Sequence, residues 1–188
     1  MNSFYRLDEL SALGLKSWGE NVLISRKASL YSPEKMEFGN NVRIDDFCIL
    51  SGAIKLANYV HIASHTILIA GCYRIEMDDF SGISSHCSIY AISDDYSGNA
   101  LSNAICPAQY RAPYGNPVLI KRYAIVGAGS TVLPGVCIEE GTAIGAMSLV
   151  TENMPPWFIC AGIPCKAIKA RARKILELEK EFREKNHA

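Results

Sequence analysis

Two histidines, His65 in IASH and His86 in ISSH, stand in nearly identical tetrapeptides 21 residues apart. An imidazole titrates near physiological pH, so either ring could take the proton from a hydroxyl nucleophile as a general base. Further on, Asp94 and Asp95 form a paired acid in ISDDYSG. A carboxylate there could orient an amine, whose lone pair attacks with less help than a hydroxyl needs, and receive the proton afterwards. Each group also has a plainer role. The histidines could lie on the surface or in an assembly contact, and aspartate favours turns.

The elements that position these groups are set by a six-residue rhythm. Large apolar residues recur at Phe38, Ile44, Leu50, Leu56, Ile62 and Leu68, in a shifted phase at Met77, Ile83 and Ile89, and again at Ile120, Val126, Val132, Ile138, Ile144 and Val150. A second, mostly small register follows each by four, as at Cys48, Thr66, Cys72, Ser81, Cys87, Ser130, Thr142 and Ser148. Helices repeat at three and four residues and half-buried strands at two, so neither explains a period of six. A hexapeptide-repeat parallel β-helix does, with the large side chain filling the prism and the small one fitting at the corner. Cys48, Cys72 and Cys87 are therefore expected inside as small hydrophobes. Glycines near the corners, such as Gly129, Gly135 and Gly141, suit backbone with positive φ. Three hexads make one turn. His65 and His86 differ by three hexads plus a three-residue shift near Gly71 to Arg74, which puts them on one wall, one coil apart, with His61 beside it.

Five segments of a single domain follow. Residues 1–20, with Phe4, Leu7, Leu10 and Leu13 at helical spacing, are expected as a helical cap on the open end of the solenoid. Residues 21–89 form the first coils, and 118–165 the last coils. Between them, 90–117 break the period, and a long irregular insertion in a regular scaffold is commonly functional. Its Tyr96, Tyr110, Tyr114 and Arg111 could stack on a sugar or bind a nucleotide diphosphate, or pack on their own scaffold. Residues 166–188 read as a charged C-terminal helix with Ile168, Ile175, Leu178 and Phe182 on one stripe.

Composition narrows the class. Lysine plus arginine equals aspartate plus glutamate at 19 each, and a basic stripe interleaved with aromatics is absent, which argues against nucleic acid as a partner. No stretch is long and apolar enough for a membrane span, and the N-terminus does not read as a signal peptide, so a cytoplasmic location is expected. The seven cysteines are odd in number and contain no Cys-x-x-Cys pair, so neither a disulfide framework nor a metal site is expected.

The run IVGAGSTVLPGVCIEEGTAIGAMSLVTENMPPWFICAGIPCKAI, with SGISSHCSIYAISDDYSG before the long loop, resembles the hexapeptide-repeat, left-handed β-helix acyltransferases. The likeness spans residues 38 to 170 and is nearest to the sugar O- and N-acetyltransferases of surface-polysaccharide and lipopolysaccharide biosynthesis. It implies an all-β solenoid, a left-handed parallel β-helix with a long protruding loop and a C-terminal α-helix. It also implies acetyl-CoA as co-substrate without a metal, and a homotrimer with sites between subunits. By that resemblance Ala128, Ala146 and Thr151 match positions that contact the arm of CoA, and Lys166 in GIPCK matches a basic residue that reaches its phosphates. Gly127 and Gly145 would permit close approach of the arm. One departure stands out. Many such enzymes carry a histidine in the loop after the middle coils, and here Asp94, with Asp95 beside it, takes that place.

The expected activity is therefore transfer of acetyl from acetyl-CoA to a sugar or nucleotide-sugar acceptor. A hydroxyl is the first choice, with His65 or His86 as base. N-acetylation of a nucleotide-linked amino sugar, with Asp94 central, is the alternative. Two remoter readings are a γ-type zinc carbonic anhydrase, its third ligand from His61 or a neighbouring subunit, and a non-catalytic β-helix module. GIPCK speaks against the first and the acidic loop against the second.

Overall fold

Three ladders of short parallel strands, joined at three corners per turn, make a left-handed β-solenoid of about seven turns in the computed structural model, which describes residues 3–186. One face stacks Ser17–Trp18, Met36–Phe38, Val118–Ile120 and Cys137–Ile138 with the later parts of Ile49–Leu56 and Ile67–Met77. The second stacks Leu23–Ile24, Arg43–Ile44, His61–Ile62, Gly82–Ile83, Ile125–Val126, Ala143–Ile144 and Phe158–Ala161. The third takes Ser29–Tyr31, the opening parts of the two long strands, Ser88–Tyr90, Thr131–Val132 and Leu149–Val150. No strand this short is stable alone. Each is held by hydrogen bonds to the coils on either side.

The six-residue register is what the interior requires. Ile24, Ile44, Ile62, Ile83, Val126 and Ile144 form one buried column, and each such side chain contributes about 1.5–3 kcal/mol by leaving water. The polar members of the small register are buried but satisfied. Thr66 Oγ1 donates to the Ser84 carbonyl at 3.0 Å and Thr142 Oγ1 to that of Pro155 at 2.7 Å. The residue just before each small one turns the corner in the left-handed region, at Phe47, Tyr59, His65, Phe80, His86, Tyr123 and Met147. That region is disfavoured for residues with a Cβ. Here the outward side chains stack from coil to coil, as Tyr59 on Phe80 at 4.7 Å shows.

Three expectations change. Cys72 is exposed, because Ala53 pairs with Arg74 while Gly52 pairs with Gly71, leaving Cys72 and Tyr73 bulged out of the ladder. With Ala70, skipped between the Ser51–Ile69 and Gly52–Gly71 pairs, these two make up the three-residue phase shift. The N-terminal cap holds only α-helix Leu7–Leu10 and a 3-10 turn Ser11–Leu13; Leu10 is buried, whereas Leu7 is 72% exposed. Lys166–Ala170 is a strand antiparallel to Phe158–Ala161, so the C-terminal helix is Ile175–Asn186 and Ile168 is not on it. Phe182 meets Tyr59 and Phe80 edge-on, and Glu179 pairs with Arg122 and Arg183, which seats this helix on the aromatic corner. Residues 1–2 of the expected cap and 187–188 of the expected helix lie outside the described residues. Among the described residues, no helix is long and apolar enough to cross a membrane.

Candidate active site

One corner of the solenoid, between the second and third faces, collects six of the candidate residues, His65, His86, Gly127, Ala128, Gly145 and Ala146. Going up the coils it reads Asp45-Asp46-Phe47, Ala63-Ser64-His65, Ser84-Ser85-His86, Gly127-Ala128-Gly129 and Gly145-Ala146-Met147. Backbone bonds set the order: His65 N to Asp46 O, His86 N to Ser64 O, Gly129 N to Ser85 O and Met147 N to Ala128 O, at 2.8–3.1 Å. His65 and His86 stack with ring centroids 4.7 Å apart and planes 18° apart, one coil above the other. Phe47 continues the stack below at 4.9 Å, with the Lys27 ammonium over its ring. His61 turns to a different partner: its Nε2 lies 2.8 Å from Asp45, which Arg43 also holds. Burial works against the Asp45 charge, and the His61 and Arg43 hydrogen bonds outweigh it, so its carboxyl sits below the usual range.

Gly127 and Gly145 are half-buried and Ala128 and Ala146 exposed, making a smooth ridge parallel to the solenoid axis. A Cβ on Gly127 would come 2.5 Å from Ala146 N and 2.7 Å from Ile144 O, so coil stacking by itself demands glycine there. The N–H groups of Gly127 and Gly145 are used within the ladder, whereas those of Ala128 and Ala146 have no partner among the described residues. The ridge thus offers two outward donors about one coil spacing, ~4.8 Å, apart. Lys166, exposed and paired with Glu152, sits beside Ala161 above the ridge, whereas exposed Thr151 follows Leu149–Val150 at the other edge of the third face, one coil above Leu133.

The long loop leaves and rejoins the coils through a small antiparallel pair, Ile92 with Gly115 and Ser93 with Tyr114. At its base, Asp94, Tyr96, Arg111 and Ile92 line a cavity of about 610 Å³ with Tyr90, Thr131 and Leu133 of the third face. Arg111 Nη2 is 3.5 Å from Asp94 Oδ1, and the Arg111 Nε is buried without a hydrogen-bond partner among the described residues. No histidine lines this cavity. Asp95 points elsewhere: it accepts bonds from Ser97 N and Oγ at 2.9 Å and from Asn99 N and Ala100 N at 3.1 Å. Those bonds, chiefly from Ser97, hold its carboxyl below the usual range and tie the loop. Tyr114 is on the neck and outside the cavity lining.

The structure thus gathers His65, His86 and the glycine–alanine ridge at one edge of the third face, and Asp94, Tyr96 and Arg111 at the other. From His86 to Tyr90 at the cavity rim is about 13 Å along the strand. Ser84 was missed by the sequence reading. It follows Ile83 as Gly127 follows Val126 and Gly145 follows Ile144, and that shared hexad place was the signal available to find it.

A left-handed solenoid of short parallel strands is the build of the hexapeptide-repeat acyltransferases, and the chain belongs to that family, with Asp94 in its loop cavity as the departure already noted. It is 45% identical over 182 residues to dTDP-4-amino-4,6-dideoxy-D-glucose acyltransferase of Escherichia coli, covering 94% of each chain. It is 30% identical over 151 residues to the putative lipopolysaccharide biosynthesis O-acetyl transferase WbbJ of Escherichia coli strain K12, over 78% of this chain and 74% of that one. Among solved structures it is similar to AntD, an N-acyltransferase from Bacillus cereus crystallised with dTDP and 3-hydroxybutyryl-CoA, with TM-score 0.97, 50% identity and 100% of each chain covered. A variant of AntD holding dTDP-4-amino-4,6-dideoxyglucose and coenzyme A gives TM-score 0.96, with 51% identity over 98% of this chain and 99% of that one. A maltose O-acetyltransferase from Clostridium difficile, 21% identical with TM-score 0.61 over 88% of this chain and 75% of that one, shares the fold. No protein-family model matches the chain.

Proposed function

We propose that the chain is an N-acyltransferase that moves a short acyl group from an acyl-CoA to the amine of a dTDP-linked amino sugar. The observation that carries this is the cavity at Asp94: it presents a carboxylate, and both stacked imidazoles stand at the far edge of the face. A carboxylate suits an amine, which it can align and relieve of a proton, better than a hydroxyl, which wants a stronger base. The relatives support the amine over the hydroxyl suggested by the histidine pair, since the enzyme similar over 94% of its length acts on a dTDP-amino sugar by its name. AntD variants crystallised with CoA replace an aspartate or a serine bearing the same numbers as Asp94 and Ser84 here, in chains that overlay this one over 98% of its length.

In this reading the pantetheine arm lies along the ridge, its amide carbonyls accepting from the N–H groups of Ala128 and Ala146. Lys166, released from Glu152, meets the phosphates, while Thr151, at the other edge of the face, lies off this track. The thioester then reaches the level of Ser84, whose hydroxyl can donate to the developing oxyanion. The neutral amine attacks the thioester carbon, the C–N bond forms, the C–S bond breaks, and the nitrogen's proton passes to Asp94 as CoA thiolate leaves. Tyr96 and Arg111 hold the sugar nucleotide. Asp95 shapes the loop, and His65 and His86 wall the site.

A homotrimer accounts for the 13 Å separation. With the loop of one copy beside the ridge of the next, the two halves close into one cleft. The setting is a compartment supplied with acyl-CoA and nucleotide sugars, the cytoplasm.

The test weighs products directly. With acetyl-CoA or 3-hydroxybutyryl-CoA and dTDP-4-amino-4,6-dideoxyglucose, mass spectrometry should show one acyl group added. The 4-hydroxyl analogue should remain unchanged. Acylation of the hydroxyl analogue alone would overturn the reading and return the emphasis to His65 and His86.

A further inference from the structure

Phe47, His65, His86 and Met147 turn the same corner in four of five successive coils with φ of 62°, 62°, 61° and 58°, and each carries a full side chain there. The coil between His86 and Met147 carries Gly129, with φ 72°. Because its neighbours hold the same turn with bulky residues, backbone conformation alone does not call for glycine. What the missing Cβ leaves room for is the Met147 thioether, whose sulfur lies 2.4 Å from where a Cβ on Gly129 would stand. The methionine folds down over Gly129 and fills the gap in the column, yet it remains 69% exposed. Its own N–H bonds to Ala128 O at 2.8 Å, which places it on the rim of the free-amide ridge.

We infer that Met147 is a specificity-determining residue for the acyl donor, a side-chain stop folded over Gly129 that limits the length of acyl group the site accepts. This rests on the ridge being the acyl-CoA track. An arm running from the Lys166 end past Ala146 and Ala128 brings its thioester to the coil of Ser84 and His86. Gly129 stands directly over that coil, its N–H bonded to Ser85 O, so an acyl group that turns sideways from the thioester toward the third face runs beside Gly129. The thioether stands in the lateral space into which a longer chain would turn. Methionine suits such a stop, being unbranched, flexible and polarisable. Gly129 is the complementary half, since any side chain there would displace the thioether into the track.

The experiment compares wild type with Met147→Ala, Met147→Phe and Met147→Leu, using the full-length oligomer and a saturating amino-sugar acceptor. The readout is kcat/KM for acetyl-, butyryl- and hexanoyl-CoA, taken as ratios within each protein so that changes in active fraction cancel. Removing the thioether should raise the hexanoyl-to-acetyl ratio by about tenfold or more, as expected for pocket discrimination over a few methylenes. Phenylalanine should lower the butyryl-to-acetyl ratio by a similar factor, and leucine should stay within about threefold of wild type. Calorimetric titration of wild type with CoA alone separates the two layers. If CoA binds and acetyl is transferred, but the ratios do not move in the alanine and phenylalanine variants, Met147 has no such role and the acyltransferase reading stands. If CoA does not bind and no transfer occurs, the track reading fails and takes this inference with it.

Discussion

Gly127→Ala tests whether coil stacking alone demands a glycine on the ridge. Its new Cβ would lie 2.5 Å from Ala146 N, 2.7 Å from Gly145 C and 2.7 Å from Ile144 O, all backbone of the next coil. Reaching the 3.4 Å of ordinary contact requires that coil to retreat by about 0.9 Å. Backbone bonds on both sides resist, Gly127 N to Ile144 O at 2.8 Å and Gly145 N to Cys160 O at 2.7 Å. A retreat of that size stretches the first beyond useful length, losing about 1 kcal/mol, and overpacking strain adds about 1–2 kcal/mol. At about 2–3 kcal/mol for a chain of this size, the thermal midpoint should fall by roughly 4–12 °C. Gly82→Ala is the matched control. It sits one coil below on the same wall, and its Cβ would meet only His61 O at 3.7 Å, so the midpoint should hold or rise slightly. Calorimetry at fixed protein concentration keeps assembly constant between variants. Equal midpoints for Gly127→Ala and wild type would refute the stacking argument and leave close approach of a ligand as the reason for this glycine.

Asp94→Asn keeps the shape of the loop cavity but removes the proton acceptor, so kcat on the amino sugar should drop by about 10²–10⁴-fold with CoA affinity little changed; a drop under threefold would remove Asp94 from the chemistry. Asp95→Ala breaks four loop hydrogen bonds, so limited proteolysis should cut the 94–113 segment faster than in wild type while the coils survive. Burial and Glu139 push the Cys137 thiol up to about 11, leaving about one thousandth as thiolate at pH 8; iodoacetamide followed by peptide mapping should therefore mark exposed Cys72 well before Cys137. The Asp45 carboxyl is lowered in the folded chain, so its stabilising effect is complete above the ordinary value of 3.8 and is lost as pH falls through the folded one. The midpoint gap between wild type and Asp45→Asn should accordingly be present at pH 6 and close below about pH 3.8; a gap independent of pH would refute the ion-pair account.

The large hexad residues from Phe38 to Val150, and through them the solenoid, were legible in the sequence. A prism with three walls offers each coil the same few inward slots, so burial repeats itself at a fixed step. The stacking of His65 on His86 was legible for the same reason once the three-residue insertion was counted. Cys72 was misjudged because the period shows that residues have been inserted but not which of them leave the ladder; that is settled where the neighbouring coil has backbone groups to pair. The antiparallel return of Lys166–Ala170 was hidden likewise, since pairing with Phe158–Ala161 overrides the helical look of a charged segment. The loop depends most on tertiary structure. Asp94 and Asp95 are adjacent and chemically identical, yet one faces the cavity with Arg111 and the other is consumed by Ser97, Asn99 and Ala100. Sequence placed both carboxylates near the site, and only the folded path of the loop, by aiming successive side chains in different directions, decided which is free to act.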